Sequence, residues 1–423
     1  MAQKRRYFGY LSEIGSNTSI PISRSAIRAG CHCPMHTALA CACRMEGVFS
    51  LVVGMPECTY YSRFVTDSLR GSRQEQHYTY VLDSNEVVFG CRKGLTKALY
   101  HILEQGAEHI AIIVTCIPAL IGEDIEAVAE EIMGETGSKL VCMDLSHYKR
   151  NGYEAGYYAM ADALYAFSDT GIYHTGQQIN ILGPWGGQEG RRLEVLWTAH
   201  GYSLNKLGGA VGREQRRSLR QAHLNIVTSL HYLPLAIRME RELKRPFVYL
   251  GEYISARLMR ERYQKIAMIL SVADSCADEN YRECTSLEER CRKEWEGNSF
   301  GVSMILPEVL NLTAYLVSLS LKPVFLHLEE YTSLMKPWKE EILSGSMNPM
   351  IAYLVDPGDV QEHLAYSGMS IPGLWIGNVD PGVFGRVISE EEWRPLTCLV
   401  GYERIMSLMK LLKKRIGGEE ECP

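Results

Sequence analysis

The chain has 423 residues, 46% of them hydrophobic, and a formal net charge of only -6. That length accommodates two or three domains with large cores, and the mild acidity supplies no basic footprint for a nucleic-acid partner. No apolar run approaches bilayer length, and the opening MAQKRRYFGYLSEIG lacks the apolar centre of a secretion signal, so neither membrane nor export is expected.

Strand-like and helical runs alternate along the chain. In the first unit, residues 1–175, FSLVVG and YTYVLD precede a helix from Lys93 to Gln105. HIAIIVTC, the helix GEDIEAVAEEIMGETG, KLVCMDLS and a helix from Gly156 to Phe167 follow. A second unit, 176–298, opens with QQINILGPWGG and ends in a long helix after Gly251, with the charged stretch 274–298 as its connection onward. The third unit, 299–423, holds a helix through PEVLNLTAYLVSLSL, strands at PVFLHL and MIAYLVD, and a last helix from Val400 to Arg415. This grammar predicts an α/β fold of three Rossmann-like units, with parallel sheets around a central cleft and binding loops at the carboxyl ends of the strands. NILGPWGG, FVYLGEYIS and IAYLVDPG share a strand-to-turn pattern, without amounting to a sequence repeat.

Thirteen cysteines in a chain expected to be cytoplasmic and reduced point to metals or cores rather than disulfides. In that setting the Asn17-Thr18-Ser19 and Asn311-Leu312-Thr313 glycosylation patterns carry no meaning. Cys33, Cys58 and Cys116 stand out because each lies where a strand-like run gives way to a Pro- or Gly-marked turn, which places sulfur at strand ends. Such thiolates on fixed backbone suit an iron–sulfur cluster. Their separations, 25 and 58 residues, are too long for a local zinc finger, so three elements must converge on one point.

Together, GMPECTYYSR around Cys58, VFGCRKGL after Val87 and TCIPALIGEDI around Cys116, with Cys33 upstream, resemble the cluster-binding domain of the nitrogenase component 1 superfamily. That group includes nitrogenase and the dark-operative protochlorophyllide reductases. The resemblance is specific over residues 25–130 and fades beyond 300, and the cysteine intervals look most like those of a β-type subunit. It implies Cys33, Cys58 and Cys116 as ligands of a [4Fe-4S] or [8Fe-7S] cluster at a subunit interface, because three thiolates from one chain leave the cluster incomplete. Ser146 would be an oxygen ligand dependent on oxidation state, with Tyr60 and Arg63 supporting the cluster by hydrogen bonding. The implied partners are a homologous α-type component 1 subunit, in an α₂β₂-type assembly, and an ATP-dependent [4Fe-4S] reductase of the iron-protein type.

The large catalytic cofactor of α-type subunits is held by a second-domain cysteine and a third-domain histidine. PFVYLGEYISARLMRERYQKI has no cysteine, and His327 and His363 lack the histidine context, so the chain is read as an electron relay. A scaffold for cofactor assembly, or a tetrapyrrole reductase subunit with substrate between its domains, stays open. No P-loop, dinucleotide fingerprint or nucleophile elbow is present. Among the other candidates, Cys31 is a spare ligand, Cys41 and Cys43 are core thiols, and Cys284 and Cys291 share a helical face. His32, His36 and His147 are ordinary polar groups, while Glu123 and Asp124 cap the helix that follows Cys116 or dock a reductase.

Overall fold

The computed structural model describes residues 8–22, 33–68, 76–149, 152–170, 177–272, 278–354, 360, 364, 371–377 and 379–417. The described chain opens with a two-residue strand, β1 (Gly9–Tyr10), whose pairing partner comes much later. Next, α1 (Pro34–Ala42) leads into β2 (Val48–Gly54), α2 (Pro56–Ser68), β3 (His77–Val81), α3 (Ser84–Phe89) and α4 (Arg92–Glu104). The unit continues through β4 (His109–Val114), α5 (Cys116–Ile121), α6 (Ile125–Thr136), β5 (Lys139–Asp144) and α7 (Glu154–Phe167). Its strands form one parallel sheet in the order β3-β2-β4-β5. VFSLVVG and HIAIIV are buried at every position, as strands covered on both faces must be.

The second sheet repeats that order. It is built from β6 (Gln178–Leu182), α8 (Gly187–Ala199), β7 (Ser203–Lys206), α9 (Arg213–Arg217), β8 (Leu224–Val227), α10 (Leu233–Leu243), β9 (Phe247–Tyr249) and α11 (Ala256–Leu270). Its parallel strands lie as β7-β6-β8-β9. After α12 (Asp278–Glu294), the third sheet takes β10 (Ser299–Val302), α13 (Val309–Ser318), β11 (Lys322–His327), α14 (Lys336–Ser344), β12 (Met350–Ala352), β13 (Leu374–Ile376) and β14 (Val387–Ile388). Its order is β1-β12-β11-β10-β13-β14, parallel except for β1 at the edge. The expected α/β architecture with several parallel sheets is therefore the one observed.

In each sheet the chain leaves the first strand in one direction and later crosses to its other side, which creates a switch point between β2 and β4, β6 and β8, and β10 and β13. One device closes all three. The Thr115 N–H donates to Val53 O at 3.1 Å, that of Thr228 to Leu182 O at 2.9 Å, and that of Ser303 to Ile376 O at 2.9 Å. The residue after each acceptor is glycine, and a Cβ on Gly54, Gly183 or Gly377 would stand 2.3, 2.6 or 2.3 Å from the facing hydroxyl oxygen. The recurrence sensed in the strand-to-turn patterns has this physical basis at Gly183.

Two expectations along the chain are revised. Stretch 274–298 is more than a connection, because α12 buries Cys284, Leu287, Glu288 and Cys291 along one face and packs on the C-terminal helix, Gly401–Gly417. Its charges mask that face because they occupy the other side of the helix. Residues 9–10, placed with the first unit, pair instead with β12. The C-terminal helix also packs on α8, where the two helix starts exchange caps: Glu189 accepts the Glu403 N–H and Glu403 accepts the Glu189 N–H, both at 2.7 Å.

Gly183→Ala would force a side chain into φ +123° and against Thr228, at an expected cost of about 1–3 kcal/mol, read as a lower denaturant midpoint. His109 opens β4 in the core, stacked on Phe167 at 5.5 Å. Burial pushes its pKa down from 6.5 to about 4. Below 6.5 the unfolded chain therefore takes up a proton that the folded chain refuses, and stability falls with pH down to about 4. His109→Phe should flatten that loss when unfolding is compared at about pH 7 and about pH 5.

Candidate functional site

The first sheet presents its switch point to a cluster of helix starts. β2 ends at Gly54 and, after Met55, Pro56 opens α2, with Cys58 in its first turn. β4 ends at Val114, Thr115 is the N-cap of α5, and Cys116 is its first residue. Cys33 is the N-cap of α1, with Pro34 at the first helical position. α1 packs against α2, β2 and β4, which carries Cys33 to the same edge. All three sulfurs thus sit at helix starts, beside the N–H groups that the first turn leaves unpaired.

Contacts at this edge are short. The Thr115 hydroxyl donates to Val53 O at 2.9 Å and lies 3.5 Å from Cys58 Sγ. The backbone N–H of His147 donates to Cys116 Sγ at 3.2 Å. Burial pushes the Cys33 thiol up to about 12, and the nearby charges of Cys116 and Cys58 push in the same direction, against a hydrogen bond from the Met35 backbone. Cys33 therefore lies within electrostatic reach of both other sulfurs. Among the described residues no three His, Cys, Asp or Glu side chains surround a point suited to a single metal ion. The donor set is soft and partly buried, which fits a polynuclear iron cluster better than one hard cation.

The remaining candidates are placed as follows. Ser146 is buried beside this edge, but its hydroxyl donates to Asp144 Oδ1 at 2.6 Å. Burial raises the Asp144 pKa, yet the hydrogen bonds from Lys149 and Ser146 prevail and hold it below the ordinary carboxylate range. Tyr60 is 69% exposed, and the exposed Arg63 guanidinium lies 3.9 Å from Asp67. Both side chains sit on the outer face of α2. His36 packs beside Tyr61 and Tyr153. Cys41 and Cys43 are half-buried and pack against the main core, and Cys284 and Cys291 are buried on one helical face as expected. Asp124 caps α6 through the Ala127 N–H at 3.0 Å. Glu123 caps a different helix, since it accepts the N–H of Cys91, the N-cap of α4, at 3.2 Å. Cys31, His32 and His363 lie outside the described residues.

Sequence reasoning missed the surface around the cysteines. Phe64 is 69% exposed, Val88 71%, Phe89 84% and Leu120 66%. These residues lie on α2, α3 and α5, which all leave the carboxyl edge of the first sheet. Exposed apolar side chains grouped at one edge signal a partner. The signal was present in VFG and IPALIG, which are apolar runs at helix ends rather than in strands.

Fold and site together define an α/β protein of three parallel sheets that gathers cysteines at the edge of the first. The model of the family described as "Nitrogenase component 1 type Oxidoreductase" matches residues 33–416, and the chain belongs to that family. It is 25% identical over 221 residues to the nitrogenase iron-molybdenum cofactor biosynthesis protein NifE of Nostoc sp., covering 51% of this chain and 43% of that protein. It is also 31% identical over 127 residues to the nitrogenase molybdenum-iron protein alpha chain of Methanosarcina barkeri, covering 28% and 24%. The chain thus matches less than half the length of these relatives. A solved structure described as nitrogenase Cp1 at pH 6.5 superposes with a TM-score of 0.66 over 95% of this chain and 96% of that one, at 15% identity, a likeness of fold. Among the described residues no helix is long and apolar enough to cross a membrane.

Proposed function

We propose that this chain is a cytoplasmic subunit of a nitrogenase-like oxidoreductase, holding an iron–sulfur cluster at a subunit interface and relaying low-potential electrons. The observation that carries this reading is the convergence of Cys33, Cys58 and Cys116, each at a helix start, on the switch point of one sheet. A cluster there would supply one-electron redox chemistry, and the chain's residues would tune it. The His147 N–H on Cys116 Sγ lessens the negative charge at sulfur and so favours the reduced state. The exposed edge of α2, α3 and α5 is the natural seat for a homologous α-type subunit that completes the ligand set. Tyr60 and Arg63, which are exposed in the chain by itself, would then lie at that interface. Electrons would arrive from an ATP-dependent [4Fe-4S] reductase of the iron-protein type.

The β-type reading rests on the cysteine intervals, while the relatives named above are an alpha chain and NifE. The NifE similarity favours a second reading, a scaffold on which cofactors are assembled and passed on. Substrate or cofactor would sit in the partner in the first reading, and an exchangeable precursor cluster would sit on this pair of chains in the second.

Anaerobic purification with a co-expressed partner, followed by iron, sulfide and EPR analysis, tests both. About eight irons per pair of unlike chains indicates an [8Fe-7S] cluster and about four a [4Fe-4S] cluster. No iron under strict anaerobiosis would overturn the redox reading. Cys58→Ala is expected to remove most of the iron while the circular dichroism spectrum stays unchanged; full iron retention would reject Cys58 as a ligand. Phe89→Asp, which puts a charge on the most exposed apolar position of this edge, should weaken partner binding by at least about tenfold in sedimentation or titration experiments.

A further inference from the structure

Each of the three sulfurs at the edge of the first sheet has a polar group turned toward it. The Met35 backbone serves Cys33, the His147 N–H serves Cys116 at 3.2 Å, and the Thr115 hydroxyl stands 3.5 Å from Cys58 Sγ. The first two belong to the backbone and follow from the course of the chain. The third is a side chain, so the residue at 115 decides whether Cys58 has such a neighbour.

The local structure makes little use of this hydroxyl. Thr115 is the N-cap of α5, where a threonine side chain ordinarily accepts an N–H of the first turn, but no such bond is made. The hydroxyl donates instead to Val53 O at 2.9 Å, a carbonyl that already receives the Thr115 N–H at 3.1 Å. Val53 O therefore stays paired when the hydroxyl proton turns away, and no buried acceptor is orphaned. At the other switch points the matching hydroxyls have different work. That of Thr228 donates to Pro184 O at 2.7 Å, and that of Ser303 accepts the Trp375 indole N–H at 2.8 Å.

Gly54 makes the approach to sulfur possible. It ends β2, and a Cβ there would lie 2.3 Å from Thr115 Oγ1 and 3.1 Å from Cys58 Sγ, so a side chain would push the two apart. Thr115 is buried and Cys58 half-buried. With so little water present, a hydrogen bond to a charged sulfur is about twice as strong as one between neutral groups.

We propose that the Thr115 hydroxyl is a redox-responsive hydrogen-bond donor to Cys58: its proton points to Val53 O while the sulfur carries little charge and swings to the sulfur when charge accumulates there. This inference rests on the cluster reading, in which Cys58 is a ligand. One electron delivered by the reductase places part of its charge on the ligand sulfurs, and the hydroxyl answers by rotating about its Cβ–Oγ1 bond. The proton stays covalently on Thr115, so none is taken up or released. Because the bond is stronger in the reduced form, it raises the reduction potential. Thr115 is thus a positioning residue that acts through Cys58.

The test uses the iron-loaded complex with its co-expressed partner and reads the midpoint potential in an EPR-monitored titration. Thr115→Val keeps the shape of the side chain and the N–H on Val53 O but removes the hydroxyl. It should shift the reduction equilibrium about tenfold toward the oxidised form, a fall of about 59 mV for a one-electron couple, with iron content unchanged. Thr115→Ala, a second variant without the hydroxyl, should fall likewise. Thr115→Ser, which keeps the hydroxyl, should stay near the wild-type potential, and Thr228→Val, the same exchange at the second sheet, should leave it unmoved. An unmoved potential in the iron-loaded Val or Ala variant, or an equal fall in the Ser variant, would overturn the proposal. So would loss of iron from both hydroxyl-free variants, since the hydroxyl would then serve assembly instead of tuning. A wild-type complex without iron would end the cluster reading and this one together, whereas iron present with an unmoved potential ends this one alone.

Discussion

The structure depends on how closely neighbouring strand ends approach at the switch points. At each, an N–H from one strand end reaches the last carbonyl of its neighbour, and the glycine that follows leaves room for a hydroxyl. A side chain in place of any of these glycines would have to displace that hydroxyl, and in the first sheet also the Cys58 sulfur, 3.1 Å from the Cβ position. The separation of helix starts above the sheet is thereby set by backbone contact. Cys58 and Cys116 inherit that separation because each begins the helix that follows its strand. The same geometry recurs in the other two sheets, so one constraint shapes all three switch points.

Much of the fold could be read from the sequence because its central strands are covered on both faces. FSLVVG and HIAIIV are uninterrupted apolar runs for that reason, and the helices between them carry clear stop signals at Gly122 and Gly137, both in left-handed conformations. The cysteines were legible because each followed such a run. β1 was not, since two residues carry no period. Helix α12 was hidden by its own charge, with four buried residues spread among lysines, arginines and glutamates. Glu123 illustrates a further limit. A carboxylate before a helical run is a good cap signal, but nothing local says that it will turn to the start of α4 instead.

Pairing across long sequence distances accounts for the rest. A cavity of about 520 Å³ draws on residues from Thr37 to Arg404, so no window of the sequence contains it. Tyr60 and Arg63 belong to a motif that reads as one unit in the sequence, yet on a helix Cys58 and Tyr60 face different ways, and only Cys58 turns toward the sheet edge. Buried thiols raise a related point of energetics. A thiol such as Cys33 is held protonated by its surroundings, so loading a metal there would release a proton and couple assembly to pH.

The exchange of caps between Glu189 and Glu403 has a bearing on biosynthesis. The helix that satisfies the start of α8 is the last element among the described residues, and residues 9–10 wait for β12 in a similar way. While the polypeptide is still emerging from the ribosome, its middle portion is complete in sequence but lacks both a buried hydrogen-bond partner and the covering surface of the final helix. Completion of the second sheet therefore waits for the synthesis of residues 401–417, and a chain cut short before them would carry a defect near its centre.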